Sequence, residues 1–326
     1  MDAGSDAKAP VGGGQAPDAV IELRGFVKNY GDVEAVRGID LTVNKGEVFG
    51  FLGPNGAGKT TTIRVMMDFI RRTEGVVNIF GLDSEKMSLE IRRRIGYQPG
   101  EFGLYEGLKV REFLRYLLDL RGASDKEPRM ERLAAFFELP LDRKISELSK
   151  GNRQKVGLVQ AFMHKPELVI LDEPTSGLDP LMQQRFYKLA REEQRAGRTI
   201  FMSSHLLAEV EHICDRVAII RNGRIVLVDD LNVLKDRVGK VLTVTFDDEV
   251  AIEDMEMEGV SDLERENNTY KMTVHSNIDR VIKNVASHRV QSMTVETFSL
   301  EELFLALYRD KAPDEAIDDE DGGDVG

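Results

Sequence analysis

One cysteine, Cys214, occurs in 326 residues, so no intramolecular disulfide forms and no pair exists for a cysteine-ligated metal site. A reducing, cytoplasmic setting fits that usage. No run of about 18 apolar residues is present, and the opening MDAGSDAKAPVGGGQAPDA is polar and rich in Gly and Pro, with no apolar core of a secretion signal. The chain is therefore expected not to span a membrane by itself. Basic excess is also lacking. The formal net charge of −13 disfavours a nucleic-acid partner, because neutralising phosphates takes a basic face. Part of the negative charge lies after Tyr308, where Asp314, Glu315, Asp318, Asp319, Glu320, Asp321 and Asp324 face only Arg309 and Lys311. This reads as a solvated acidic tail.

What is present suffices for one large α/β domain and a smaller one, with 41% hydrophobic residues for their cores. The apolar run Val48–Leu52 reads as a buried strand and Thr61–Met67 as a helix, with GPNGAGKT, Gly53 to Thr60, between them. Gly53, Pro54, Asn55, Gly56, Ala57 and Gly58 let the backbone curl its N–H groups around phosphates. The helix N-terminus, with Thr61 in its first turn, adds partial positive charge. Lys59 is then placed to reach the β- and γ-phosphates of a nucleotide, and the Thr60 hydroxyl to bind Mg²⁺.

Leu168–Leu171 is a second fully apolar run, expected of a buried parallel strand, and Asp172 and Glu173 end it beside the phosphate loop. Asp172 is positioned to hold Mg²⁺, often through water, and Glu173 to polarise a water against the γ-phosphate. Thr199–Ser203 reads as another strand, followed by His205, whose imidazole can donate to a γ-phosphate oxygen. His164, His212, His275 and His288 lack such placement and read as structural or surface residues.

Three residues read two ways. Tyr30, expected in the loop between the first two strands, is a surface tyrosine or a stacking platform for adenine. Gln98, at the end of the strand beginning at Ile95, is a solvated loop residue or faces the ligand crevice. Ser149 caps a helix expected over Lys155–Met163; with Gly151 in its first turn it marks a mere helix start or an anion seat.

The remaining pattern supplies a scaffold. Helices are expected over Ser88–Arg94, capped by Ser88, over Val110–Arg121 and Pro128–Phe137, which form an inserted helical subdomain, and from Pro180 to Ala196. A hairpin spans Arg216–Val228 with its turn at Asn222-Gly223. Past Lys240 come strands over Val241–Phe246, Tyr270–Val274 and Val290–Glu296 and a helix over Ile278–Ser287. A last helix, Leu300–Tyr308, has Ser299 and Glu302 as a capping box.

In this order the motifs resemble the ATP-binding cassette subunit of an ABC transporter, over roughly Val20–Val238. GPNGAGKT is similar to the family's Walker A, Gln98 to the Q-loop, Leu148–Asn152 to the signature and Leu168–Glu173 to the Walker B. Ser176–Asp179 resembles the D-loop, His205 the switch histidine and Tyr30 the adenine-stacking aromatic. The fold this implies is an α/β P-loop NTPase cassette with a RecA-like core, an antiparallel β subdomain and a helical subdomain, followed by a small α+β domain. The implied division is a disordered tail at 1–18, the cassette at 19–238, an accessory domain at 239–310 and an acidic disordered tail at 311–326.

The resemblance further implies an ATPase that works as a pair. Two cassettes, a second copy of this chain or a paralogous one, stack head to tail, and each ATP lies between the Walker A of one and Ser149 and Gly151 of the other, with Asp179 also at the nucleotide. Glu173, His205 and Gln98 take the catalytic roles, and Thr60, Gln98 and Asp172 attend Mg²⁺. The implied partner is a multi-spanning membrane permease, with the chain peripheral on the cytoplasmic face of the membrane. The signature departs from the family's usual LSGGQ, since Lys150 and Asn152 stand in LSKGN for a glycine and a glutamine; this resembles the export branch. SLEELFLALY, Ser299 to Tyr308, resembles the accessory domain of ATPases that drive multidrug or polyketide exporters, which implies export of drugs, polyketides or other hydrophobic compounds. The alternative is a soluble ATPase of the same family acting on ribosomes or nucleic acid. It is disfavoured by the single phosphate loop, by the absence of a long coiled coil between Gln98 and Leu148, and by the acidic balance.

Overall fold

The first two strands carry their apolar residues on one face, and they pair as a long antiparallel hairpin. The computed structural model describes residues 19–297 apart from 101, 102, 104, 232 and 235–238. In it β1 (Ala19–Tyr30) sets Ile21, Leu23 and Phe26 opposite Val43, Leu41 and Ile39 of β2 (Val33–Asn44). Tyr30 is the last residue of β1, paired with Val33, and not a loop residue as expected, because the ladder runs right up to the Gly31-Asp32 turn.

β3 (Val48–Leu52), buried at every position, leads through the glycine-rich loop into α1 (Lys59–Met66). β4 (Glu74–Ile79) pairs with β1, and the short β5 (Leu82–Asp83) completes an antiparallel sheet of order β2-β1-β4-β5. α2 (Ser88–Arg94) leads to β6 (Ile95–Gln98), followed by α3 (Val110–Leu120), α4 (Glu127–Phe136) and α5 (Lys150–Phe162). Then come β7 (Leu168–Asp172), α6 (Pro180–Arg195), β8 (Thr199–Ser204) and α7 (Leu207–Ile213). β9 (Arg216–Arg221) and β10 (Arg224–Asp230) form a hairpin about Asn222-Gly223.

The second sheet has the order β10-β9-β3-β8-β7-β6, and from β9 to β6 its neighbours run parallel. Parallel strands end on one edge. Gln98, Asp172-Glu173, Ser204-His205 and the loop at 53–58 all follow those ends, which is where an open α/β sheet binds ligands. Ile21, Leu23 and Phe26 of the antiparallel sheet pack in one core with Phe49, Phe51, Ile170 and Phe201 of the parallel one and with Ile63 and Met66 of α1. Each such side chain contributes about 1.5–3 kcal/mol on full burial. In β3, a Cβ at Gly50 would come 2.8 Å from Val210 Cγ1 and 2.9 Å from Cys214 Sγ, so only glycine lets α7 and the residue after it lie this close. Cys214 is buried there, and burial pushes its thiol pKa up.

Local chemistry explains where helices begin. Ser149 caps α5 by accepting the Asn152 N–H at 3.3 Å, so the helix starts at Lys150, earlier than the expected Lys155. Asp179 caps α6 through the Met182 N–H at 3.0 Å, with Pro180 in the first turn, where its missing N–H costs nothing. α2 departs from expectation: its cap position is Met87, and Ser88 is its first helical residue, with Oγ accepting from Arg92 at 3.0 Å. The turn before it is already closed by Asp83, whose Oδ1 accepts the N–H groups of Glu85 and Lys86 at 3.0 and 3.1 Å.

Contacts divide the chain into two units between Asp229 and Asp230, ahead of the boundary expected after residue 238. The second unit contains β11 (Lys240–Phe246), β12 (Val260–Glu266), β13 (Thr269–Val274), α8 (Ile278–Val285) and β14 (Val290–Thr297). Its antiparallel sheet has the order β12-β13-β11-β14. Leu242, Val244, Phe246, Tyr270 and Met272 of that sheet pack against Val281 and Val285 of α8 in a core of their own. β12 has no counterpart among the expected strands. It is an edge strand in which Asp262, Glu264, Arg265 and Glu266 break the apolar alternation, and edges take charge readily. The expected tails and the Leu300–Tyr308 helix lie outside the described residues.

Candidate active site

The loop at 53–58 is held by close approaches that only glycine permits. A Cβ at Gly53 would lie 2.2 Å from the Ile220 carbonyl oxygen, and one at Gly58, where φ is 109°, would lie 2.7 Å from that of Ala35. The Ala57 N–H donates to the Pro54 carbonyl at 3.2 Å, and the Gly223 N–H to that of Ala57 at 3.1 Å, so the β9–β10 turn buttresses the loop. The first-turn N–H groups of α1 have no partner within the helix and are available to an anion. Asn55, Gly56, Gly58, Lys59, Thr60 and Thr61 line a cavity of about 150 Å³ together with Ala35 and Glu173.

Lys59 is buried, and its Nζ donates to the carbonyls of Gly53 at 2.7 Å and Pro54 at 3.0 Å. Desolvation lowers its pKa, and the charges of Glu173 and Asp172 oppose that shift. The ammonium is thus folded over the loop whose concavity it would share with phosphates. Glu173 Oε1 lies 3.7 Å from Lys59 Nζ and 3.2 Å from His205 Nδ1.

The carboxylate pair is fixed from behind. Ser203 Oγ donates to Asp172 Oδ1 at 2.6 Å and accepts the Glu173 N–H at 3.1 Å. The Glu173 carbonyl accepts from Gln154 Nε2 at 2.8 Å. Glu173 itself has a φ of 50°, a left-handed conformation that costs a non-glycine residue about 1–3 kcal/mol, so its neighbours over-determine its direction.

Gln98 is fully buried at the end of its strand, paired with Leu171, the residue before Asp172, and its amide N and O have no hydrogen-bond partner among the described residues. An unsatisfied buried amide costs about 1–3 kcal/mol and suits a site that receives a ligand. No group of three or more His, Cys, Asp or Glu among the described residues could hold a metal ion. Mg²⁺ needs no such cage: one carboxylate with hydroxyl, amide, water and phosphate oxygens serves it, and Asp172, Thr60 and Gln98 fit that donor set. Thr60 and Asp172 line a larger cleft of about 720 Å³ with Glu173, Arg64, Tyr97 and Lys150; Lys150 belongs to the LSKGN signature, whereas Arg64 and Tyr97 carry no motif. Burial, then the charge of Asp172, pushes the Tyr97 phenol up to about 12, so it stays a neutral donor.

Tyr30, Ser149, Gly151 and Asp179 line neither of these cavities, and neither do Gly53, Pro54, Ala57, Gln98 and His205. Tyr30 is half-exposed, with Lys28 Nζ 4.9 Å from its ring centroid. Ser149 and Asp179 cap helices, and Gly151 is pressed so close to Gly177 that a Cβ would lie 2.7 Å from that carbonyl oxygen. Neither Ser149 nor Gly151 lines the cavities that hold Thr60. Ser203, Gln154 and a buried acid on α7, Glu209, escaped sequence reasoning because nothing but the fold sets them behind the carboxylates.

Against known proteins, the family described as "ABC transporter" matches residues 36–176. The uncharacterised ABC transporter ATP-binding protein YhaQ of Bacillus subtilis (strain 168) is 38% identical over 68% of this chain and 76% of that protein. The bacitracin transport ATP-binding protein BcrA of Bacillus licheniformis is 37% identical over 71% of this chain and 76% of its own. A solved structure described as the ATP-binding subunit of an ABC transporter superposes with a TM-score of 0.63 at 32% identity, covering 66% of this chain and 92% of that one.

Proposed function

We infer that this chain, which belongs to the ABC transporter family as an ATP-binding subunit and ATPase, hydrolyses ATP at the carboxyl edge of its parallel sheet with Glu173 polarising the attacking water. The observation that carries the reading is the convergence of Lys59 and His205 on one oxygen of Glu173, at 3.7 and 3.2 Å.

The residues act as follows. Lys59 exchanges the Gly53 and Pro54 carbonyls for β- and γ-phosphate oxygens, and the loop N–H groups surround the same phosphates. Tyr30 stacks on the adenine. Thr60, Gln98 and Asp172 hold Mg²⁺, which neutralises charge on the phosphates. Glu173, released from Lys59, accepts a hydrogen bond from water and aims it at the γ-phosphate, while His205 steadies that geometry and donates to the phosphate.

Ser149, Gly151 and Asp179 serve the nucleotide of a second cassette in a head-to-tail pair. Support comes from the resemblance of Leu148–Asn152 to the family's signature and of Ser176–Asp179 to its D-loop; Ser149, Gly151 and Asp179 line neither of the cavities that hold Thr60. The force of closing and opening passes to a multi-spanning permease, which places the chain on the cytoplasmic face of a membrane; among the described residues no helix is long and apolar enough to cross one. Export of a hydrophobic compound is favoured by the likeness to a bacitracin transport protein and by the LSKGN signature.

The test is Glu173→Gln. It should bind ATP with wild-type affinity and hydrolyse it about 10²–10⁴-fold more slowly, the usual worth of a positioned general base. Turnover at the wild-type rate would remove Glu173 from this role.

A further inference from the structure

Glu209, on α7, is 7% exposed, and each of its carboxylate oxygens accepts one hydroxyl. Oε1 accepts from Thr175 and Oε2 from Ser204, the latter at 2.6 Å. Thr175 and Ser204 are themselves 3% and 1% exposed. Thr175 lies two residues beyond Glu173, and Ser204 immediately precedes His205, so one carboxylate bridges the two segments that carry the reacting groups. The mount is firm. Val210, the next residue of α7, packs where a Cβ at Gly50 would be, which fixes the helix against β3. The charge of Glu209 also reaches Tyr187 of α6, whose phenol is pushed up to about 12 by burial and then by that charge. Glu173, His205, Thr175, Ser204 and Glu209 all line one cavity of about 210 Å³.

We propose that Glu209 is a positioning residue for ATP hydrolysis: by bridging Thr175 and Ser204 it keeps His205 Nδ1 within 3.2 Å of Glu173 Oε1. The proposal rests on the reading of Glu173 given above. A carboxylate suits the task because both its oxygens accept. Glutamine has one acceptor oxygen, and its amide N–H₂ would have to turn to a hydroxyl; Ser204 Oγ, which already accepts the Leu206 N–H at 2.9 Å, would then have to give its only hydrogen to the Leu206 carbonyl, at a longer 3.2 Å, in place of the short bond to residue 209. Glutamine therefore keeps about one of the two links, and alanine keeps neither.

The experiment measures kcat, KM and equilibrium ATP affinity on the full chain for Glu209→Ala, Glu209→Gln, Thr175→Val and Ser204→Ala, with Glu173→Gln as control. Glu209→Ala should lower kcat at least tenfold, with KM and ATP affinity within twofold of wild type. Glu209→Gln should fall between the two. Thr175→Val and Ser204→Ala should each lose part of the rate, and neither should slow Glu209→Ala further. A kcat within twofold of wild type for Glu209→Ala, or a loss expressed through KM or ATP affinity, overturns the proposal. If Glu209→Ala does not fold, the two hydroxyl variants decide, and full kcat in both overturns it. Wild-type turnover by Glu173→Gln would instead overturn the reading of the site, whereas a slowed Glu173→Gln beside an unaffected Glu209→Ala overturns the bridge alone.

Discussion

Ser203→Ala tests how the carboxylate pair is held. The hydroxyl is fully buried, donates to Asp172 Oδ1 at 2.6 Å and accepts the Glu173 N–H at 3.1 Å. Its removal deletes a hydrogen bond to an ionised group, worth about 1.5–3 kcal/mol, and a neutral one worth about 1 kcal/mol, and leaves the buried Asp172 carboxylate short of a donor. The expected loss is about 3 kcal/mol from a total that for most domains is about 5–15 kcal/mol. Turnover should suffer too. Glu173 sits in a left-handed conformation that this bond helps to impose, and its relaxation should lower kcat about ten- to a hundredfold, or about 1.4–2.7 kcal/mol of activation free energy. Urea unfolding of the full chain, followed by far-UV circular dichroism because there is no tryptophan to report, gives the first quantity. With two units, the transitions are fitted separately. A steady-state phosphate-release assay gives the second. Wild-type midpoints together with wild-type kcat would refute the claim that Ser203 holds the pair.

Two further outcomes follow from buried polar groups. Gln98→Leu removes an amide whose N and O lack partners among the described residues, so stability should hold or rise by about 1 kcal/mol while the Mg²⁺ concentration for half-maximal ATPase rises at least tenfold; a stability loss above about 2 kcal/mol would show the amide to be structural. Burial, and secondarily the charge of Arg121, depresses the His164 pKa from 6.5 to about 4. The neutral imidazole is the form the fold favours, so this contribution is fully present above pH 6.5 and is lost as pH falls toward 4, by about 3 kcal/mol at most. Urea midpoints measured across that window should slope less in His164→Gln, and an equal slope in both proteins would rule the residue out.

How legible each part is in the sequence depends on whether its signal is local. GPNGAGKT stands between a fully apolar strand and a helix, and Asp172-Glu173 end another apolar strand, so chain periodicity alone puts both at the same sheet edge. Ser149 reads as a cap because a cap is local by nature, whereas the cap role of Asp179 is a finding of the structure. Glu209 and Ser203 carry no motif. They matter through hydrogen bonds to residues some thirty positions away, which become visible only when β7, β8 and α7 lie side by side. Tyr30 and β12 show the converse. Turn-like or charged letters mask strands that cross-strand pairing sustains.

The packing of Cys214 against Gly50 makes the native chain silent toward thiol reagents. A sealed thiol with a raised pKa presents almost no thiolate to a maleimide at neutral pH. A cysteine placed at exposed Ser149 would therefore react alone, without a prior cysteine-free background, and a bifunctional maleimide would then read the approach of two cassettes in a single labelling step.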